Sequence, residues 1–244
     1  MKLSAPIYHL KRKAKLLARQ RAIPLHDALD RMAVQEGYNS WSLLAVRHAL
    51  TSPAAQLFAR LTPGDLVLIG ARPGHGKTLL ALELAVEAMK SGHHGVFFTL
   101  EYTEKDILTR FDALGVKPAQ FASLFTFDCS DAITADYIIE TLNSASAGTM
   151  VVIDYLQLLD QRRESRPLAE QVSALKSFAR DRGLMIAFIS QIHRAYDPST
   201  KPFPEVQDVR LPNPLDLTLF DQTCFLNNGG ARLQAAPSRG HSLA

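Results

Sequence analysis

The sequence is poor in the features that mark secreted and membrane-embedded proteins. It has two cysteines in 244 residues, Cys129 and Cys224, and each sits in an apolar, strand-like setting. This predicts two buried thiols and neither a disulfide nor a metal site. No apolar run reaches the roughly 18 residues of a membrane span, and the N-terminus lacks the apolar core of a secretory signal. We therefore expect a cytoplasmic protein without a membrane partner.

Negative charge is scarce at the N-terminal end of the chain. Residues 1–50 contain nine Lys or Arg against three Asp or Glu, a net charge of +6, whereas the remainder carries −3. This concentration suits nucleic acid or an acidic protein partner, and a solvated helix face is the alternative. Helical spacing and cap residues predict three short helices here, with Trp41 in their core and an arrangement similar to a helix-turn-helix.

The chain is long enough for one large α/β domain and a small appendage. We expect a basic helical module at 1–50, a connecting segment at 51–64, the main domain at 65–230 and a disordered tail at 231–244. The main domain alternates apolar runs with helical patterns. Strands are predicted at 65–70, 95–100, 124–128, 150–154, 184–190 and 222–227, and helices at 77–91, 103–114, 131–146 and 167–182. Continuous apolar strands predict a mainly parallel sheet with helices on both faces.

A phosphate-loop motif follows the first of these strands. The segment GARPGHGKT, from Gly70 to Thr78, comes close to the pattern G-x-x-x-x-G-K-[ST], with Ala71 in the place of the first glycine. In such a loop, backbone N–H groups at a helix N-terminus bind phosphate, the lysine contacts the β- and γ-phosphates, and the threonine hydroxyl binds Mg²⁺. A glycine-rich turn without a ligand is the alternative. The predicted nucleotide-binding residues are Arg72, Pro73, Gly74, His75, Gly76, Lys77, Thr78 and Leu79.

Three polar side chains follow other strands at the edge where ligands of parallel sheets bind. Asp154 ends the strand at 150–154 and is a candidate Mg²⁺ ligand, unless it only caps a turn. Glu101 ends the strand at 95–100 and is a candidate base for the attacking water, unless it only begins the following helix. Gln191 is placed to sense the γ-phosphate and to move the loop behind it.

These motifs resemble the C-terminal ATPase domain of DnaB-type replicative helicases, in the RecA-like superfamily of P-loop NTPases. The resemblance covers roughly residues 60–227 and is carried by GARPGHGKT, FFTLEYT, VVIDYLQLLD and PFPEVQDVR. It implies a RecA-like fold, ATP with Mg²⁺, single-stranded DNA as a partner and a hexameric ring. It also implies that Glu101 is the catalytic glutamate and that Gln191 couples the γ-phosphate to DNA-contacting loops. The candidate phosphate contacts in those loops are Arg194, Lys201 and Arg210, and solvated loop charges are the alternative for each of them.

The chain departs from this family after the last predicted strand. A Lys-x-Arg-Asn-Gly-Pro-type stretch, which supplies an arginine finger to the neighbouring subunit in DnaB-type proteins, is absent, and only Arg232 and Arg239 follow. Two hypotheses therefore remain open: a motor that acts on single-stranded nucleic acid, and a slow ATP-dependent switch that recruits a partner. A third and weaker hypothesis is a small-molecule kinase, because the resemblance to the helicase domain extends well beyond the phosphate loop.

Overall fold

The N-terminal part of the chain consists of helices. The computed structural model describes residues 3–5, 7–116, 121, 123–160, 166–211 and 213–235. Four helices come first: α1 (Ile7–Arg21), α2 (Leu25–Gln35), α3 (Trp41–Thr51) and α4 (Pro53–Phe58). Ser40 and Ser52 begin α3 and α4, because their hydroxyls accept backbone N–H groups in the first turn. The fourth helix lies within the predicted connecting segment.

A small apolar cluster holds α1, α2 and α3 together. Ala14, Ala28 and Met32 are buried in it, and Trp41 packs against them while remaining partly exposed. The backbone N–H of Trp41 donates to the Asp30 carboxylate at 2.7 Å, which fixes the start of α3 against α2. The N-terminal helices therefore have a core of their own, with Trp41 at its margin.

A seven-stranded sheet forms the centre of the remaining structure. Its strands are β1 (Leu66–Ala71), β2 (Gly95–Thr99), β3 (Phe125–Asp128), β4 (Met150–Asp154), β5 (Met185–Gln191), β6 (Gln222–Asn227) and β7 (Gly230–Ala235). They lie in the order β3-β2-β4-β5-β1-β6-β7; all neighbouring pairs are parallel except β6 and β7. The six predicted strands agree with β1 to β6 to within one residue at each end, and the mainly parallel sheet is confirmed.

Helices cover both faces of the sheet. They are α5 (Lys77–Lys90), α6 (Glu104–Leu114), α7 (Ala135–Thr141) and α8 (Leu168–Arg182). The core on one face includes residues of α4, α5 and α6, and the core on the other includes residues of α7 and α8. Helix α7 is shorter than the predicted 131–146: it ends at Thr141, and it begins only at Ala135 because the Thr134 hydroxyl accepts the Tyr137 N–H at 3.2 Å and caps the helix there.

Two sequence-based expectations are wrong in the structure. The predicted disordered tail begins at residue 231, but residues 231–235 form most of β7, and the rest of that tail lies outside the described residues. Asn228 and Gly229, both with positive φ, make the two-residue turn of a β6–β7 hairpin. Cys224 is buried as predicted, whereas Cys129 is exposed because it follows the last residue of the edge strand β3.

Within the described part of the chain, no helix combines the length and the apolar character needed to cross a membrane.

Gly70 lies in β1 directly against the β6 side chain Phe225. A β-carbon at Gly70 would lie 2.6 Å from Cε1 and 2.7 Å from Cδ1 of that ring. We expect Gly70→Ala to lower the free energy of unfolding by about 1–3 kcal/mol, the usual cost of overpacking a core. Urea denaturation of the single variants and of Gly70→Ala/Phe225→Val measures the coupling between the two positions. An equal cost of Gly70→Ala in both backgrounds would contradict this steric explanation.

Candidate nucleotide site at the strand ends

The phosphate loop connects β1 to α5 with the geometry that its glycines predict. Gly74 and Gly76 have φ of +81° and +85°, and a β-carbon at either position would meet nothing within 4 Å. Glycine is therefore favoured at both positions by backbone conformation and not by lack of space. Helix α5 begins at Lys77 immediately afterwards. The loop thus directs a helix N-terminus, with its free N–H groups, toward the edge of the sheet.

Thr78 and Asp154 meet at the centre of the site. The Thr78 hydroxyl donates to Oδ2 of Asp154 at 3.0 Å, and both side chains are buried. Oδ1 of Asp154 is also buried, and no described residue donates a hydrogen bond to it. A buried carboxylate oxygen without a partner, next to a hydroxyl, suits Mg²⁺, which takes few protein ligands and keeps several waters.

The pKa of the Asp154 carboxyl is shifted by its burial and by the charges around it. Burial raises the pKa of this carboxyl from 3.8 to about 6, and the negative charge of Glu101 adds to the increase. The Thr78 hydrogen bond and the positive charges of Lys77 and Arg110 act in the opposite direction. The site therefore holds one carboxyl that is costly to ionise in the free protein and that a divalent cation would favour in its ionised form.

Glu101 lies just beyond β2, at the same edge of the sheet. Its side chain is exposed, and its backbone N–H donates to the Thr99 hydroxyl at 3.0 Å. The neighbouring Tyr102 ring lies under the Arg110 guanidinium, 3.9 Å from the ring centroid to Cζ. Arg110 belongs to none of the sequence motifs, and the signal for it is only that an arginine lies about two turns into the helix that follows Glu101.

Gln191 and Arg210 lie together at the end of β5. Oε1 of Gln191 accepts a hydrogen bond from the Arg210 guanidinium at 3.4 Å, and its backbone carbonyl accepts the Arg210 N–H at 2.8 Å. Gln157, which is not among the predicted site residues, donates from Nε2 to the Arg210 carbonyl at 2.5 Å and to the Ser190 hydroxyl at 3.2 Å. The segment after β4 therefore holds the returning end of the loop that follows β5.

The other two nucleic-acid candidates have different surroundings. Lys201 lies 3.3 Å from the Glu205 carboxylate and 3.4 Å from that of Asp208, so it forms ion pairs within its own loop. The Arg194 side chain is exposed, and its backbone carbonyl accepts a hydrogen bond from the Arg72 guanidinium at 2.9 Å. Of the two, only Arg194 presents a charge that the loop does not already neutralise.

The β6–β7 hairpin contacts both loops of the site. The backbone N–H of Asn228 donates to Nδ1 of His75, in the phosphate loop, at 3.3 Å. On the other side, Arg232 lies 3.5 Å from the Glu205 carboxylate and 5.5 Å from the centroid of the Phe203 ring. The hairpin therefore bridges the phosphate loop and the loop after β5, an arrangement that no local motif indicated.

Comparison with known proteins agrees with this geometry. Residues 56–209 match the KaiC ATPase family. Replicative DNA helicase DnaB of Leifsonia xyli subsp. xyli (strain CTCB07) is 28% identical over 181 residues, which are 62% of this chain and 40% of the helicase. The DnaB of Geobacillus stearothermophilus is 27% identical over 187 residues, with 62% and 41% coverage. The chain therefore spans about two fifths of the length of these curated relatives.

Two solved structures share the fold. A DnaB-like replicative helicase, solved in a study of its interactions with primase, aligns with a TM-score of 0.57 at 18% identity, covering 93% of this chain and 74% of that one. A KaiC-like protein of the hyperthermophilic archaeon Pyrococcus horikoshii aligns with a TM-score of 0.52 at 17% identity, covering 72% and 81%. With more than half of its length matched, the protein belongs to the KaiC ATPase family, and its sheet and flanking helices form a RecA-like domain of the DnaB type.

Proposed function

We propose that the protein hydrolyses ATP with Mg²⁺ and uses the reaction to act on single-stranded nucleic acid. The observation that carries this proposal is the buried contact between Thr78 and Asp154, with the second carboxylate oxygen of Asp154 unpartnered among the described residues. A hydroxyl and a strand-end carboxylate are the two groups with which phosphate-loop NTPases hold Mg²⁺. Their meeting beside an α5 N-terminus supports nucleotide chemistry over an ordinary glycine-rich turn.

The phosphate loop would bind the triphosphate. Its backbone N–H groups would surround the phosphate oxygens, with Gly74 and Gly76 supplying the left-handed conformations that aim them inward. Lys77 would contact the β- and γ-phosphates as a point charge. The remaining proposed contacts, which complete the loop and the first turn of the helix, are Arg72, Pro73, His75, Thr78 and Leu79.

Thr78 and Asp154 would hold the metal ion. When bound, Mg²⁺ neutralises charge on the β- and γ-phosphates. The role of the chain is to supply a hydroxyl and a carboxylate whose relative position is already set in the folded protein. Because both side chains are already held in place by burial, little side-chain conformational entropy is lost when the ion binds.

Glu101 would accept the proton of the attacking water, because it is an exposed carboxylate at the strand end next to Asp154. Gln191 would report the γ-phosphate to the loop behind it. The hydrogen bonds from Arg210 to its side chain and carbonyl provide a direct route, because a movement of Gln191 must displace or break them.

Nucleic acid would bind the loop after β5. Arg194 and Arg210 are the better candidates for phosphate contacts, and Lys201 is the weaker one because Glu205 and Asp208 already neutralise it. Single-stranded DNA is the proposed polymer, since the curated relatives are replicative DNA helicases. We propose assembly of several copies on the same grounds, with a hexameric ring as the form that the DnaB resemblance implies.

The test is steady-state ATP hydrolysis with and without single-stranded DNA. We expect DNA to stimulate turnover in the wild-type protein and Lys77→Ala to show neither hydrolysis nor stimulation, since this variant lacks the charge that contacts the β- and γ-phosphates. Lys105→Ala, which removes an exposed lysine from α6, is the matched control. Hydrolysis that persists unchanged in Lys77→Ala would refute the proposed site.

A slow ATP-dependent switch is the second candidate. It is favoured by Arg232, the one arginine after β6 within the described residues, which forms an ion pair with Glu205 of the same chain. Without an arginine finger, phosphoryl transfer loses on the order of 10³–10⁵ in rate. Tight ATP binding with negligible turnover, with or without DNA, would favour the switch over the motor.

A further inference from the structure

The exposed face of α1 is a row of cations on a helix without a single acidic residue. Arg12, Lys15 and Arg19 lie at helical spacing on one side and are exposed, while Leu10 and Ala14 are buried on the opposite side. The orientation is set by packing, because the buried side contacts α2 in the N-terminal cluster. The cationic face is therefore a fixed feature of the folded chain.

These cations have no partner within the described part of the protein. No ion pair or hydrogen bond joins a described residue to the side chain of Arg12, Lys15 or Arg19. Elsewhere in the chain, Lys176 is paired with Asp221, and Lys201 is paired with two carboxylates. Like charges held together without counterions repel one another and favour an anionic partner.

The chemistry of the face fits a polyanion better than an acidic protein surface. The centres of protein–protein interfaces are depleted of charged residues and rich in apolar and aromatic side chains, whereas among the described side chains of this face the one large apolar group is Leu16, which is 50% exposed. Arg12 to Arg19 span about 10 Å along the helix axis, which is close to three phosphate-to-phosphate steps of about 3.4 Å along one strand of a duplex.

The face also lies away from the nucleotide site. The ammonium group of Lys11, on the side of α1, donates to the Leu114 carbonyl at 3.4 Å, at the C-terminal end of α6. Glu101 lies near the other end of α6, and an 11-residue helix is about 16 Å long. A polymer bound to α1 would therefore leave the phosphate loop free.

From these observations we infer that Arg12, Lys15 and Arg19 form a nucleic-acid-binding surface that contacts phosphates and does not depend on nucleotide. Lys13, which is also exposed, flanks it. The inference rests on the proposed function only for the class of partner. The protein would then have two nucleic-acid-binding surfaces, one on the N-terminal helices and one in the loop after β5. The first would keep the protein on its strand while the nucleotide site is empty.

The experiment measures binding of fluorescent dT30 by anisotropy at several salt concentrations, without nucleotide. For Arg12→Gln/Lys15→Gln/Arg19→Gln, we expect affinity to fall on the order of 100-fold at about 0.1 M salt and the log–log salt slope to decrease by about 2, at about 0.7 per phosphate contact. Arg31→Gln/Arg60→Gln/Arg180→Gln removes the same charge at exposed positions elsewhere and should bind as the wild type does. Arg12→Lys/Arg19→Lys should also retain binding.

Three outcomes would overturn the inference. The α1 variant could bind dT30 with unchanged affinity and slope, the control variant could lose as much as the α1 variant, or polyglutamate could compete as well as DNA at equal charge, which would indicate an acidic protein partner. Lys77→Ala separates this inference from the proposed function. It should bind dT30 normally without nucleotide, whereas failure of the motor proposal would appear only in hydrolysis.

Discussion

Glu101→Gln is expected to lower the turnover number for ATP by about 10²–10⁴-fold, the usual contribution of a positioned general base, while ATP binding persists. The amide has the shape of the carboxylate but cannot accept the proton of the attacking water. Because Glu101 is exposed and its structural hydrogen bond is made by its backbone N–H, the substitution leaves the fold intact. Rapid-quench single-turnover hydrolysis and titration with a fluorescent ATP analogue measure the two effects separately.

Glu104→Gln is the matched control for this prediction. It makes the same chemical change three residues along the chain, at an exposed position in the first turn of α6. Turnover in this variant should stay within about twofold of the wild type, since a surface charge one helical turn from the base has only a small screened effect. Equal losses in both variants would indicate a general electrostatic effect and would remove Glu101 from the role of base.

Asp154→Asn is expected to abolish detectable hydrolysis and, at the same time, to stabilise the free protein at neutral pH. Burial raises the pKa of Asp154 from 3.8 to about 6, so the folded state binds a proton more tightly than the unfolded state does. The contribution of Asp154 to wild-type stability is therefore highest below about pH 4 and declines as the pH rises through about 6, where the buried carboxyl must ionise. The asparagine carbonyl can still accept the Thr78 hydroxyl but carries no charge.

The stability gain should be on the order of 2 kcal/mol at about pH 7.5 and close to zero at about pH 4. Urea denaturation at both pH values, without Mg²⁺ or nucleotide, measures it. Asp181→Asn, at an exposed position near the end of α8, controls for the substitution itself. A variant that is less stable than the wild type at the higher pH would contradict the assignment of Asp154 as a buried carboxyl that lacks a full set of partners.

Much of the nucleotide site follows from local sequence. The strand, glycine-rich turn and helix around Lys77 are adjacent in the chain, and their apolar run, positive-φ glycines and helix formers act over a few residues. The same is true of Asp154, which ends the apolar strand β4, and of Glu101, which follows the apolar strand β2 by two residues. Since the carboxyl ends of parallel strands meet at one edge of a sheet, their common position could be predicted without knowing the strand order.

The sequence alone did not reveal the partners of the charged and amide side chains. Lys201 is ion-paired because the carboxylates of Glu205 and Asp208 lie beside it. Their positions depend on the fold of an irregular loop, which the sequence does not reveal. The β7 strand was missed because its alternating, half-exposed residues lack the apolar run that identified the other strands, although Asn228 and Gly229 are a hairpin signal.

The sequence by itself determined the fold class, the phosphate loop and the strand-end acids, because those depend on short-range patterns. Only the tertiary structure decided that Gln157 holds Arg210, that Asn228 contacts His75 and that Arg232 is paired within its own chain. These contacts join residues tens of positions apart, and they form because the sheet order places β4 beside β5 and β6 beside β1. Local propensity carries no information about that order, which arises from the packing of the whole domain.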